Sequence, residues 1–423
     1  MLERPLRFCM VTTFYPPYHF GGDAVFVQRL SRALADEGHH VEVVHSLDAY
    51  HLLQPERRDA PLQDHPGITR HALRSAHPRL PTLLAHQLGR PALYTRRLRE
   101  ILERDHDVIH YHNVSLMGAP GALRLGRALK LYTAHEYWLV CPTHVLFAFN
   151  REACTQKRCL ACTVHYGRAP QVWRYSGLLQ RALEQVDCLL MPSRFALERH
   201  RADGIERPLA LLPHFVPQPA EEAARGVGGE RPFFLYAGRL EKLKGVQDLI
   251  RVFESERRAD LLIAGDGSFR PALEAAARGL DHVRFLGRVD SARLDALYRN
   301  ALALLVPSLC YETFGLTAAE AMSHGTPVIV RRIGALREML DQSGAGLGFD
   351  TLEECRDAIG RLLSDLALRD SLGRRGQATV RSEWSRPVHV ARYLRLVRSL
   401  LAVRSQALEQ SPRAAQAVLG VGA

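Results

Sequence analysis

The sequence lacks the features that would place it among membrane-spanning or secreted proteins. No apolar run approaches the roughly 20 residues that a helix needs to cross a bilayer. The stretch Met1–Arg7 leads directly into an apolar segment and has no secretory signal pattern. With 47% hydrophobic and 24% charged residues over 423 positions, we expect a cytoplasmic, globular protein of two domains.

A dinucleotide-binding fingerprint is also missing. Gly265-Asp266-Gly267 follows an apolar segment and is predicted to open a helix, but the third glycine of the G-x-G-x-x-G pattern is absent. The chain has no recognisable nucleic-acid-binding motif either. We therefore interpret this triplet as a turn at the end of a strand.

Positive charge is in excess, with a net charge of +11. This balance suits a nucleic acid, an anionic membrane surface or an anionic substrate, and charge alone does not choose among them. Leucines alternate with a cluster of arginines, so peripheral contact with a membrane and a solvated basic helix face are both open. The arginines of this cluster are Arg70, Arg74, Arg79, Arg90, Arg96, Arg97, Arg99 and Arg104.

Apolar segments alternate with helical segments in both halves of the chain, which predicts an α/β protein with parallel sheets. We predict a doubly wound domain over residues 1–216, a linker over 217–232 and a second such domain over 233–383. Residues 384–404 are predicted to form a helix that packs back across both domains. Residues 405–423 are predicted to be a mobile tail.

Two acids eight positions apart carry the strongest functional signal. Glu312 is predicted to lie in a loop after a buried strand, and Glu320 inside the following helix. The first backbone N–H groups of that helix, at Phe314, Gly315 and Leu316, can bind a phosphate. Hydroxyl groups on each side of the phosphate could then bind the acids, as in a nucleotide sugar. A solvated helix face with two acids is the alternative interpretation.

A cationic loop precedes the acids in the same half. Gly238 ends a predicted strand, and Arg239 and Lys244 follow it. Arginine can bind two phosphate oxygens at once, and lysine adds a point charge. Such groups would stabilise the negative charge that grows on a departing diphosphate. In the first half, Gly22 at a helix start permits a similarly close backbone approach to phosphate.

The acid pair and the Gly-Arg-x4-Lys-Gly loop resemble family 4 of the glycosyltransferases, which are retaining enzymes of the GT-B fold. The resemblance implies two Rossmann-like domains facing across a cleft, with the C-terminal helix returning to the first domain. It implies that Glu312 contacts the donor sugar and Glu320 the ribose, and that Gly22 faces the donor phosphate. It also implies that Val289 offers backbone groups to the base, near the Asp266 turn.

His135 follows a predicted strand and is expected to point into the cleft, where its ring or its carbonyl side could face the donor sugar. The family often has His-Asp here, whereas this chain has His135-Glu136. A structural histidine is the alternative. The resemblance implies front-face attack, with the departing phosphate taking the proton of the acceptor. It requires no metal, although bound magnesium stays open.

Four of the eight cysteines are concentrated just after His135. Cys141, Cys154, Cys159 and Cys162 could bind structural zinc, bind a cluster or form disulfides, and a cytosolic setting disfavours the last. A subset of the family has a similar segment. The other four cysteines are scattered and are predicted to be buried thiols.

The resulting hypothesis is a retaining hexosyltransferase that uses a nucleotide-sugar donor. We expect a glycan or lipid-linked acceptor in polysaccharide or cell-envelope biosynthesis, at the inner membrane face, and no nucleic-acid partner. A sugar-nucleotide epimerase of similar fold is one alternative. A non-catalytic basic or zinc-binding protein is the other.

Overall fold

Strands and helices alternate along the computed structural model, which describes residues 4–54, 64–77, 79–219 and 231–410. The strands are β1 (Arg7–Val11), β2 (His40–Ser46), β3 (Ile68–Leu73), β4 (Val108–Tyr111), β5 (Leu129–Thr133), β6 (Phe147–Ala148), β7 (Glu152–Ala153), β8 (Cys188–Met191), β9 (Leu209–Leu211), β10 (Phe233–Ala237), β11 (Asp260–Ala264), β12 (Val283–Gly287), β13 (Leu304–Val306), β14 (Val328–Arg331) and β15 (Gly346–Phe349). The helices are α1 (Gly22–Asp36), α2 (Leu47–Leu53), α3 (Arg79–Leu88), α4 (Thr95–Leu102), α5 (Cys159–His165), α6 (Leu178–Leu183), α7 (Arg194–Ala202), α8 (Val246–Phe253), α9 (Arg270–Ala276), α10 (Ser291–Asn300), α11 (Leu316–Ser323), α12 (Gly334–Ser343), α13 (Leu352–Ser364), α14 (Leu366–Glu383) and α15 (Arg386–Gln410).

Two parallel sheets organise the chain. The first has seven strands in the order β3-β2-β1-β4-β5-β8-β9, and the second has six in the order β12-β11-β10-β13-β14-β15. Strands β4, β5, β8, β10 and β11 are buried along their whole length because helices cover both faces. This is the predicted pair of doubly wound domains.

The chain crosses between the domains at two adjacent points. After β9 it passes Val216, whose N–H donates to the carbonyl of Trp384 (3.0 Å) where the chain returns. Trp384 packs in the core of the second domain, whereas Val390, Tyr393 and Val397 of α15 pack against strands of the first. The predicted return of the C-terminal helix is therefore confirmed.

Several local predictions need correction. By residue type Asp23 suits the N-cap of α1, but Gly21 occupies that position and Asp23 lies in the first turn of the helix. Helix α9 begins only at Arg270, so the turn at Asp266 does not open it. Helix α15 extends to Gln410, so residues 405–410 are helical rather than part of a tail. Most of the predicted linker and the tail beyond 410 lie outside the described residues.

The described helices include none that is both long enough and apolar enough to span a bilayer.

Candidate active site

In each sheet the first strand along the chain, β1 or β10, lies in the interior. The strands that follow it are added first on one side of it and then on the other. Strand β10 lies between β11 and β13, and ligands of doubly wound sheets bind beyond the carboxyl ends of strands at such a point. The loops that leave β10 and β13 are bonded together, since the N–H of Leu309 donates to the carbonyl of Leu243 (2.8 Å). This edge therefore brings the predicted cationic loop beside the predicted acidic loop.

Lys244 and Glu312 form an ion pair at that edge. The Lys244 Nζ lies 2.7 Å from Glu312 Oε1, and both side chains are about four-fifths buried. Ser308 Oγ donates to the same oxygen (2.7 Å). Burial opposes the ionisation of Glu312, but Lys244 and Ser308 outweigh it and hold the pKa of the carboxyl below its usual value. Two of the three ammonium donors of Lys244 remain for another anion.

The local backbone explains how these two loops approach each other. Gly245 adopts a left-handed conformation (φ +76°) directly after Lys244. A side-chain carbon at Gly245 would lie 2.1 Å from the carbonyl oxygen of Pro307. Only glycine therefore allows the β10 loop to pack against the end of β13.

Arg239 lies on the same loop and is half exposed. Its guanidinium contacts Glu241 (2.9 Å). Its positive charge also lowers the pKa of both Glu312 and Glu136, a residue of the first domain, although burial has the largest effect on each of those carboxyls. Arg239 is thus an accessible cation between the two domains.

Two helix N-termini approach each other across the cleft. Helix α11 begins after Gly315, which is left-handed (φ +110°), and α1 begins at Gly22. A side-chain carbon at Gly22 would lie 3.0 Å from Leu316 Cδ1. The free N–H groups of both helices therefore lie near one another, which favours an anion there. The Phe314 side chain is buried in the second core, so only its backbone can contribute.

Glu320 lies inside α11, as predicted, and contacts the first domain. Its Oε1 accepts a hydrogen bond from Arg29 on α1 (2.9 Å), and its Oε2 accepts a weaker one from Tyr298 (3.4 Å). The Arg29–Glu320 pair is about four-fifths buried and joins the two domains. Arg29 was not singled out in the sequence, because a lone arginine on a helix gives no sign of its partner.

His135 belongs to an array of buried histidines in the first domain. Its Nε2 lies 2.9 Å from His112 Nδ1, and its Nδ1 lies 3.2 Å from His214 Nε2. Burial lowers the pKa of His135 to about 4 and holds the pKa values of His112 and His214 below the usual range, so the array is neutral at pH 7. Both ring nitrogens of His135 therefore have imidazole partners in this structure.

The backbone of the His135 segment faces the acidic loop instead. The Thr313 hydroxyl donates to the carbonyl of His135 (2.9 Å), and the Tyr137 hydroxyl donates to the carbonyl of Glu312 (3.1 Å). These bonds hold the first domain against the loop that carries Glu312. They place the carbonyl of His135, rather than its ring nitrogens, against that loop.

Glu136, where the family often has Asp, pairs with His144 (3.0 Å). Burial opposes its ionisation, but His144, Arg239 and His135 together lower its pKa. Glu136 is therefore an anionic group that faces the cationic loop of the second domain.

Asp266 and Val289 follow the ends of β11 and β12, and of these two strands β11 is the neighbour of β10. Asp266 Oδ1 accepts from the N–H of Gly267 (2.9 Å), which fixes the turn. Gly265 and Gly238 pack against each other so closely that a side-chain carbon on Gly265 would lie 1.8 Å from the Gly238 carbonyl oxygen. These residues are on the side of the second sheet away from Glu312.

The four clustered cysteines lie beside the cleft. Cys141, Cys154, Cys159 and Cys162 are free thiols that line one cavity. As the side chains stand, the described part of the chain has no group of three or more His, Cys, Asp or Glu close enough to hold a metal ion. The other four cysteines are buried, as predicted.

Comparison with known proteins places this geometry in a class. Residues 20–218 match the family model "Glycosyltransferase Family 4", and residues 217–379 match "Glycosyl transferases group 1". An uncharacterized glycosyltransferase of Methanocaldococcus jannaschii is 25% identical over 407 residues, covering 90% of this chain and 95% of that protein. The chain is therefore a glycosyltransferase.

Solved structures agree on the architecture. Sucrose-phosphate synthase from Thermosynechococcus elongatus superimposes with a TM-score of 0.73 at 22% identity, covering 94% of this chain and all of that chain. HepE of Anabaena, in complex with UDP and glucose, gives a TM-score of 0.62 at 15% identity and covers 96% of this chain and all of that one. The fold is GT-B, and the chain belongs to the family 4 type of glycosyltransferases.

Proposed function

We propose that this enzyme transfers a hexosyl group, with retention of anomeric configuration, from a nucleoside diphosphate sugar to a glycan or lipid-linked acceptor. The observation that carries the proposal is the buried Lys244–Glu312 pair at the carboxyl edge of the second sheet. It places a cation and a carboxylate side by side where two helix N-termini meet. A diphosphate attached to a sugar matches that arrangement.

The cations would contact the diphosphate, and the carboxylates would contact hydroxyl groups. Arg239 and the remaining donors of Lys244 would stabilise the departing diphosphate, and the N–H groups near Phe314, Gly315 and Leu316 would assist. Glu312 would hold a hydroxyl of the donor sugar through Oε2, which has no partner among the described residues. Glu320 would bind the ribose. The carbonyl of His135 would lie near the oxocarbenium-like centre.

The nucleotide is best sought by thermal shift with UDP, GDP and ADP, because a ligand that binds only the folded state raises the melting temperature. The complex of HepE with UDP and glucose supports testing UDP first. We expect one nucleotide to stabilise the wild type and the same nucleotide to have little effect on Arg239→Ala. Equal and small shifts with all three nucleotides would contradict the proposal.

Two rival functions are separable in the same preparation. An epimerase converts the donor with no acceptor present, whereas a transferase releases nucleotide only when an acceptor or water receives the sugar. A nucleic-acid-binding protein would bind polynucleotides in a salt-sensitive way, and this would survive Glu312→Ala. The configuration of the product, read by NMR, tests retention.

An exposed apolar and basic surface in the first domain supports a membrane-associated acceptor. Leu80, Leu83, Leu88 and Leu93 are each about half exposed on α3 and the turn that follows it. Exposed arginines lie among them, whereas Leu98 of the predicted stretch is buried in the core. Co-sedimentation with vesicles that contain anionic lipid should fall when Leu83 and Leu93 are both changed to Ser.

A further inference from the structure

A cysteine-lined cavity next to the cleft has no role in the proposed transfer. Its four cysteines come from three separate parts of the chain. Cys141 ends a turn after β5, Cys154 follows β7, and Cys159 and Cys162 lie on one turn of α5. No disulfide joins them. Four thiols that line one cavity form a donor set suited to a shared ligand.

The chain around these cysteines is unusually strained. Five non-glycine residues in the described part of the chain have positive φ, and four of them lie between Cys141 and Cys154: His144, Leu146, Phe149 and Asn150. Such conformations cost free energy and persist where the surroundings hold them. The only regular pairing within this loop is the two-residue ladder of β6 and β7. Backbone pairing alone therefore gives the loop little support.

The four thiols line the same cavity. The N–H of Phe149 donates to Cys162 Sγ (3.3 Å), which is a common way to support a thiolate ligand. The side chains of Cys154, Cys159 and Cys162 are partly exposed, so rotation about their bonds can bring the sulfurs inward.

We propose that Cys141, Cys154, Cys159 and Cys162 bind one zinc ion with four thiolate ligands. Zinc prefers such a tetrahedral set in structural sites, and a CxxC pair on one turn commonly supplies two of the ligands. Binding releases the thiol protons, because only thiolates ligate the metal. The nearby Arg174, which stacks on Trp138 and Trp173, would offset part of the negative charge of the site.

The metal would stabilise the contact between the domains. Phe147, within the strained loop, packs with Leu243 and Cys310 of the second domain. Leu243 precedes Lys244, and Cys310 is two residues before Glu312. A zinc ion that fixes the loop therefore also fixes the position of both groups, a consequence that rests on the proposed transfer. Metal binding itself does not depend on it.

The test is the metal content of the full chain, purified with a reductant and without chelator. We expect about one zinc per chain in the wild type and less than about a tenth in Cys159→Ser. Cys159→His should retain zinc, because imidazole is also a zinc ligand. Cys355→Ser is the matched control, since Cys355 is a buried cysteine of the second domain, and it should retain one zinc.

A second measurement covers the case in which Cys159→Ser fails to fold. The wild-type protein is stripped with a chelator and reloaded with Co²⁺, and four thiolate ligands should give an intense thiolate-to-cobalt absorption band. A metal-free wild type that gives no such band would overturn the proposal. So would full zinc content in Cys159→Ser, iron with acid-labile sulfide, or disulfides among the four cysteines.

The effect of zinc on catalysis is measured separately from metal binding. Removing zinc should lower kcat at least about tenfold and weaken the binding of the nucleotide, and Cys159→His should restore both. An unchanged kcat in metal-free protein would remove the interdomain role and leave the metal site. If no donor is ever turned over, the proposed function fails and the zinc measurement still stands.

Discussion

The first domain's side of the cleft has an array of neutral imidazoles, whereas the second domain's side has a buried ion pair. His112, His135 and His214 contact one another, and burial keeps their pKa values low. Across the cleft, Lys244 and Glu312 are buried as an ion pair. Two domains of one architecture therefore differ in chemistry: the second supplies Lys244 and Arg239 for a charged donor, and the first supplies neutral rings and backbone groups beside the anionic Glu136.

The largest loss of activity should follow from removing Lys244, the buried cation of the second domain. Lys244→Met leaves Glu312 buried without its partner, which costs about 3–5 kcal/mol. We expect kcat/KM for transfer to fall about 10³-fold and the affinity for the nucleotide diphosphate to weaken. Steady-state kinetics with the stabilising donor would measure this. His214→Gln, in the imidazole array of the first domain, should lower kcat/KM less than a tenth as much. Equal losses of kcat/KM in the two variants would contradict the difference between the domains.

Arg239 should rank next because it is half exposed and its loss leaves no buried charge. We expect Arg239→Ala to lower kcat/KM about 10²-fold and Arg239→Lys to recover part of that loss, since lysine keeps the charge without the bidentate geometry. Arg251→Ala is the matched control, an exposed arginine on α8 of the same domain. A similar loss in the control would indicate a general effect of charge.

The buried, neutral histidines of the first domain and of α15 should make the stability of the protein depend on pH. Burial lowers the pKa of His389 on α15 to about 4, below the value near 6.5 of an unfolded chain. Between these values the unfolded chain binds the proton and the native state does not, so stability present above pH 6.5 is lost as the pH falls. His389 alone should cost about 2 kcal/mol between pH 7 and pH 5.

Urea unfolding at pH 7 and pH 5 would measure this loss. His389→Gln should reduce the difference in unfolding free energy between the two pH values. The three tryptophans separate the domains, because Trp138 and Trp173 pack in the first core and Trp384 in the second. Comparison of the wild type with Trp384→Phe would assign the fluorescence change. A change in stability with pH that appears only in the fluorescence of Trp384 would contradict an origin in the first domain.

The smallest effect should come from a contact between the domains away from the cleft. Both oxygens of Glu338 on α12 accept from backbone N–H groups at the start of α7, those of Arg194 (2.8 Å) and Phe195 (2.7 Å). Glu338→Ala removes this cap and should cost about 1 kcal/mol. Asp341→Ala, also on α12 and exposed, is the control for thermal unfolding. No difference between them would show that the cap contributes nothing.

Much of the fold was predictable because the strands of a covered parallel sheet are continuous apolar runs. The segment Phe233–Ala237 matches β10 at both ends for this reason. Strands β3 and β15 were not predicted, since their exposed and half-buried residues break the apolar pattern. Glu312 in a loop and Glu320 in a helix were likewise predictable, because only neighbouring residues decide that placement.

The sequence by itself determined the two repeated sheets, the cationic loop and the spacing of the acids, because burial and turn formation depend on short stretches of chain. Only the tertiary structure decided that Arg29 meets Glu320 and that Thr313 bonds to the carbonyl of His135. These partners come from distant segments. The order of the strands and the packing between the domains bring them together, and no local pattern carries that information.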